Sequence, residues 1–300
     1  MISYYRRTKQ DSKLKRLPEF RVGCWINVED PSEEELEKLA GLLDLDTDLL
    51  NDGLDPDEIP RVEVEGDKVY VLVKTVDIKN KALDTLLVVV GGTFVLTLSR
   101  RPQNFLKEIR KTGKVITTQR TKLLISVLDK NDQELEEMTN TVVKQVQKRG
   151  PLKNIEFWEL NNLLQSEVLL NNLVSFYYYT RLVYTRLLKT IRLYEEDRDI
   201  IESLLTESEE RFNLSKNALR TLSNIRDYYM ILSSSRLNRM INVLTVLTII
   251  ISIPAAISGV YGMNVALPLQ HDQNVFLYIM AVIFGLWAVF LYYVKRSRLL

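Results

Sequence analysis

The hydrophobic and polar positions change their rhythm along this chain. Leu36, Leu39, Leu42 and Leu43 recur at helical spacing after Pro31-Ser32-Glu33-Glu34-Glu35, where Ser or Pro and clustered acids suit the first turn of a helix. Leu54-Asp55-Pro56-Asp57-Glu58-Ile59-Pro60 then reads as an acidic turn. Strand-like runs follow at Arg61–Glu65, Lys68–Asp77, Leu83–Val90 and Thr93–Leu98, with Gly66-Asp67 and Gly91-Gly92 as hairpin turns. Phe105 to Lys111 is expected to be helical. The pattern predicts an α+β domain with an antiparallel-rich sheet over residues 1–118.

Beyond it the pattern becomes helical, over residues 119–242. Arg120 to Arg149 reads as one helix stopped by Gly150-Pro151, Ile155 to about Leu193 as a second, and Glu195 onward as a third. Between Pro151 and Pro254 there is neither Pro nor Gly. A single helix from Ile200 to Met263 measures about 95 Å at about 1.5 Å per residue. Such a rod suits transmission of a conformational signal into a membrane, or the lining of a pore.

Charge sharpens the picture. The net charge is +1, but Asp, Glu, Lys and Arg are absent from Met240 to Gln270 and again from Gln273 to Val294. A hydrocarbon core about 30 Å thick needs about 20 apolar residues in a helix. Residues 243–263 and 275–294 each supply one span, and residues 264–274, containing Pro268, form a short outer loop. Arg236 and Arg239 precede the first span, a basic tail over 295–300 (Lys295, Arg296, Arg298) follows the second, and the loop has neither Lys nor Arg. By the positive-inside bias both termini are expected in the cytoplasm, which makes a multi-pass plasma-membrane protein.

The two spans differ. The second is almost uniformly apolar, as a lipid-facing helix should be. The first is punctuated by Thr245, Thr248, Ser252, Pro254, Ser258, Gly259 and Gly262, residues that suit helix contacts or a watery path.

Candidate chemistry is sparse elsewhere. One Cys, Cys24, excludes an intramolecular disulfide, and one His, His271, excludes a multi-histidine site within a chain. No phosphate-binding Gly-rich loop with Lys, no His-Glu-x-x-His and no nucleophile–His pair near a turn is present, so no enzyme, organic cofactor or nucleic-acid partner is expected. Glu195-Glu196-Asp197 and Glu207–Glu210 read either as a solvated helix face or as a cation-attracting surface.

At the end of the first span stands Tyr261-Gly262-Met263-Asn264. Placed there, the motif resembles the signature of the CorA family of magnesium transporters. The resemblance extends to the layout of the whole chain, to Val243-Leu244-Thr245 upstream of the motif, and to the acidic turn followed by Arg61-Val62-Glu63. It implies a funnel-shaped homopentamer in the lipid bilayer, with first spans lining a central pore and second spans outside. It also implies potential-driven uptake of Mg²⁺, with Co²⁺ and Ni²⁺ as further cargo, and closure by intracellular, regulatory Mg²⁺. The loop Val265-Ala266-Leu267-Pro268-Leu269-Gln270-His271-Asp272 departs from the family's common Met-Pro-Glu-Leu, leaving Asp272 as its sole acid.

On this reading a ring of Asn264 amides accepts hydrogen bonds from the waters of a hydrated Mg²⁺, an ion that dehydrates reluctantly. Gly262 and Gly259 leave room for close backbone approach, while Tyr261 and Met263 pack against neighbouring helices. Asp227, Ser234, Asn238, Ile241, Thr245 and Ser252 recur at near-heptad spacing, which places them on one seam of a supercoiled bundle. Asn238 and Asp227 fall where the family has pore-lining Asn and Asp. Ile241 and Leu244 suit a constriction that closes by dewetting. Asp227 reads as a metal-loaded carboxylate ring, or as a surface acid paired to Arg226. Two further readings remain: a Mg²⁺-responsive sensor or scaffold of the same family with little transport, and a membrane-anchored enzyme.

Overall fold

Seven strands form one sheet in the order β2-β1-β3-β7-β6-β5-β4 in a computed structural model of the chain. The strands are β1 (Ile2–Arg6), β2 (Lys15–Leu17), β3 (Cys24–Glu29), β4 (Arg61–Glu65), β5 (Lys68–Asp77), β6 (Ala82–Val90) and β7 (Phe94–Ser99). The helices are α1 (Glu33–Leu43), α2 (Thr47–Asp52), α3 (Asn104–Thr112), α4 (Arg120–Gln147), α5 (Phe157–Thr190), α6 (Glu195–Tyr261) and α7 (Val275–Arg296). The structure describes residues 1–77, 82–147, 157–265, 267–269 and 273–296. The expected helix stop at Gly150-Pro151, the expected helix start at Ile155, loop residues Ala266, Gln270, His271 and Asp272, and tail residues Ser297 and Arg298 lie outside them. The chain divides into two units, Met1–Ser223 and Asn224–Leu300.

In the first unit every strand pair is antiparallel except β3 with β7, which run parallel with Trp25 opposite Val95 and Ile26 opposite Leu96. This pair sits at the middle of the sheet and is covered on both faces. Cys24, Ile26 and Val28 point into one apolar cluster, together with Leu72, Leu87 and Leu96 and with Leu36, Leu39 and Leu50 of α1 and α2. Trp25 points the other way, into a cluster with Val71, Val88 and Val95, with Phe105 and Leu106 of α3, and with Leu124 and Leu128 of α4 and Tyr184 of α5. The period of two along each strand sorts neighbouring side chains onto opposite faces. The result is a three-layer α-β-α unit, with α1 and α2 on one side and α3, α4 and α5 on the other.

Local chemistry fixes the edges of these elements. The α1 start is a reciprocal capping box: Ser32 Oγ accepts from Glu35 N at 3.2 Å, and Glu35 Oε2 accepts from Ser32 N at 3.1 Å. In the acidic turn, Asp55 Oδ1 accepts from Asp57 N at 2.9 Å. The Arg61 guanidinium gathers the carboxylates around it, donating to Asp52 Oδ2 at 2.5 Å and also to Glu58 and Glu63. Buried polar groups are paired through the sheet: Trp25 Nε1 donates to Thr97 Oγ1, which donates to Asn27 Oδ1, each at 2.9 Å. Asn131 of α4 donates to the Lys74 carbonyl of β5 at 2.8 Å, tying that helix to the sheet.

The structure adds elements that the hydrophobic pattern does not announce. The stretch before Pro31 contains β1, β2 and β3, and α2 is also additional. Strand β1 bonds to β3 on one side and to β2 on the other, with Tyr4 opposite both Ile26 and Leu17.

Candidate functional site

In the second unit, α7 and the apolar part of α6 are each long and apolar enough to cross a membrane. Their half-buried positions follow the helical repeat. On α6 these are Val246, Ile249, Ile250, Ile253, Pro254 and Ile257; on α7 they include Ile279, Trp287 and Phe290, in line with the buried Ile283 and Val294. The two faces meet, and Trp287 Nε1 of α7 donates to the Ile250 carbonyl of α6 at 3.0 Å. The other faces of α7 expose Phe276, Leu277, Val282, Phe284 and Val289.

The candidate seam occupies a different side of α6. Asp227, Ser234, Ile241 and Thr248 recur every seventh residue, as do Asn238, Thr245, Ser252 and Gly259, with Leu244 alongside. All nine are exposed in the protomer. At 100° per residue this seam is turned roughly 120° from the face that α7 covers. Its hydroxyls are internally bonded: Thr245 Oγ1 donates to Ile241 O at 2.8 Å, Thr248 Oγ1 to Leu244 O at 2.8 Å, and Ser252 Oγ to Ile249 O at 3.1 Å. Each hydroxyl hydrogen is thereby committed to the helix, leaving the oxygen lone pairs as acceptors for water.

At the outer end of the seam, α6 stops at Tyr261. Gly262 N donates to Ser258 O at 2.9 Å and Met263 N to Val260 O at 3.2 Å, so the last turn tightens as it ends. A Cβ on Gly262 would stand 3.1 Å from the Ser258 carbonyl oxygen, so glycine fits this turn closely. A Cβ on Gly259 would meet nothing within 4 Å of its own chain. Asn264 lies just past the helix and is exposed; Tyr261 and Met263, expected against neighbouring helices, are exposed in the single protomer.

At the lower end, Asp227 Oδ1 stands 3.7 Å from Arg226 Nε, with the Asp227 side chain 61% exposed. That long contact on an exposed pair contributes little to stability.

The acidic runs of the first unit separate into distinct environments. Asp197 is buried and accepts from Thr121 Oγ1 at 3.3 Å, whereas Glu196 pairs at the surface with Lys122 at 3.3 Å. Glu209 pairs with Arg181 at 3.2 Å, and Arg211 with Glu136 at 2.5 Å. Among the described residues, no three His, Cys, Asp or Glu side chains of one protomer gather closely enough to hold a metal ion.

Sequence reasoning passed over two polar pairs. One is Trp287 with the Ile250 carbonyl; the signal available was a proline inside an apolar span together with one mid-span tryptophan. The other is Tyr184 with Asp132, between α5 and α4, for which sequence spacing offers no signal.

Comparison with known proteins converges on one family. The family described as CorA-like Mg²⁺ transporter protein matches residues 21–296. The Cobalt/magnesium transport protein CorA of Methanocaldococcus jannaschii is 25% identical, over 91% of this chain and 90% of the relative. The complete structure of the CorA magnesium transporter from the same organism superposes with a TM-score of 0.84 at 22% identity, covering 99% of this chain and 98% of the other. The full-length CmaX protein superposes with a TM-score of 0.72 at 14% identity, over 96% of each chain.

Proposed function

The chain belongs to the CorA family of Mg²⁺ transporters, and from that premise we propose that it is a homopentameric channel for membrane-potential-driven uptake of Mg²⁺, with Co²⁺ and Ni²⁺ as further cargo, gated by intracellular Mg²⁺. The relative from M. jannaschii carries cobalt and magnesium in its name, which supports this cargo class. The observation that carries the proposal is the exposed seam of α6. A membrane helix with one face on α7 and another bearing hydroxyls, an amide and glycine is suited to five-fold assembly around water.

Arg236 and Arg239 at the start of the first span, and Lys295 and Arg296 at the end of α7, support a cytoplasmic side for both termini. Five Asn264 amides then meet the ion at the outer mouth. A hydrated Mg²⁺ keeps its tightly held waters and donates hydrogen bonds from them to the amide oxygens. A neutral ring binds weakly enough for the ion to leave, as conduction requires. Below it, the oxygens of Thr248, Thr245 and Ser252 continue the line of acceptors, and Asn238 adds a second amide ring. Ile241 and Leu244 form the constriction that dewets in the closed state. Five Asp227 carboxylates repel one another without a cation, so intracellular Mg²⁺ draws them together and favours closure.

The driving force needs no bound nucleotide. An inside-negative potential is worth about 2.3 kcal/mol per charge per 100 mV, hence about 4.6 kcal/mol for a divalent ion. The test is Mg²⁺ influx into proteoliposomes holding an internal Mg²⁺ indicator. Influx that rises with imposed inside-negative potential supports the channel. Folded pentamers that pass no Mg²⁺ at low internal Mg²⁺ favour the sensor or scaffold instead.

A further inference from the structure

Pro254 lies inside α6 and has no backbone N–H. The carbonyl four residues earlier, that of Ile250, therefore lacks its helical donor. Within a bilayer no water replaces it, and an orphaned carbonyl there is costly. The structure supplies a donor from the other span: Trp287 Nε1 lies 3.0 Å from Ile250 O. The indole is held in place by an edge contact with Phe284, ring centroids 5.7 Å apart at 84°. Trp287 is half-buried on the α7 face that meets α6.

This contact sits at a sensitive point. A proline break is where a helix bends. Above it, Ala255–Tyr261 carries Gly259 and leads to Gly262 and Asn264; below it lie Ser252, Thr248 and Thr245. Ile250 and Ser252 point about 160° apart around the helix, so Trp287 grips the break from behind the seam.

We propose that Trp287 is a positioning residue for ion selection: its indole N–H pins the Pro254 break of the pore helix to α7 and so fixes the direction in which the outer turns present Asn264. This rests on the channel reading above. The expected cargo contact is unchanged in chemistry; what Trp287 sets is the radius of the amide ring.

The test is a cycle of Trp287→Phe, Pro254→Ala and the double variant, each as the full chain. Pro254→Ala restores the N–H that bonds Ile250 O within the helix, which makes the indole donor redundant. In proteoliposomes, Trp287→Phe is expected to lower the ratio of Mg²⁺ to Co²⁺ influx severalfold and to lower the thermal stability of the assembly. In the Pro254→Ala background the same substitution is expected to change neither. Equal losses in both backgrounds, or no loss in either, overturn the proposal, because packing alone would not depend on the proline. If Trp287→Phe fails to assemble, rescue of assembly by Pro254→Ala supports the pin and failure of rescue contradicts it. If the wild type passes no ion, the channel reading fails by itself, and the stability cycle still decides the pin.

Discussion

Tyr184 of α5 donates its hydroxyl hydrogen to Asp132 Oδ2 of α4 at 2.5 Å. Tyr184 is fully buried, and the Asp132 carboxyl faces the seam between the helices. Burial pushes Asp132 up to about 7; the bond from Tyr184 opposes the rise, Asp129 and Glu207 add to it, and Arg211 opposes it. In the unfolded chain an aspartate titrates near 3.9. The folded state thus holds the extra proton between those values, and stability from this site is fully present below about pH 4 and lost as pH rises through about 7. The stability of the full chain against thermal unfolding is predicted to fall from pH 5.5 to pH 8.5 by on the order of 2 kcal/mol more in the wild type than in Asp132→Asn. Parallel pH profiles for the two proteins would contradict this assignment.

Gly259 and Gly262 are predicted to respond differently to alanine. At Gly262 the added methyl crowds the Ser258 carbonyl oxygen of its own chain at 3.1 Å, so that carbonyl must give by a few tenths of an ångström. At Gly259 the protomer offers no clash, and any loss arises between copies. Gly259→Ala should therefore leave helix content unchanged while reducing pentamer stability and Mg²⁺ influx. Size-exclusion and influx measurements indistinguishable from wild type would remove Gly259 from the subunit interface.

Asp227 is predicted to set sensitivity to internal Mg²⁺. Its partner Arg226 is distant at 3.7 Å and its side chain is largely exposed, so Asp227→Ala removes little intrachain stability. The variant should need severalfold more internal Mg²⁺ to suppress influx, with an unchanged melting temperature. An unaltered inhibition curve would leave Asp227 as a surface acid.

The contrast between elements explains how far the sequence could be read. Strands β4 to β7 were legible because short β-rich runs are punctuated by Gly66 and Gly91, and α1 because Ser32 and Glu35 sit at capping-box spacing. Strand β3 escaped because it is buried on both faces and so lacks an apolar–polar alternation. Strands β1 and β2 escaped because they are short, five and three residues, and carry Arg and Lys, so that backbone pairing of β1 with β3 and of β2 with β1, and not an apolar pattern, holds them. Helix α2 spans six residues and rests on a cap, Asp46 accepting from Asp48 N and Leu49 N, rather than on a long periodic face.

The shared exposed face of α6 was legible for a related reason. Asn238, Thr245 and Ser252 lie on one helix, where a seven-residue repeat translates directly into a shared face. The bond between Trp287 and Ile250 joins positions 37 residues apart, and Tyr184 and Asp132 are 52 apart. Such pairings depend on tertiary packing, and no spacing along the chain encodes them.

The most direct test of the account is Mg²⁺ influx under an imposed inside-negative potential, comparing wild type with Asn264→Ala in the same proteoliposomes at matched pentamer content. The account predicts potential-driven influx in the wild type and a loss of at least about ten-fold in the variant, equivalent to about 1.4 kcal/mol. Wild-type flux retained in intact Asn264→Ala pentamers would contradict the claim that this amide ring selects the ion.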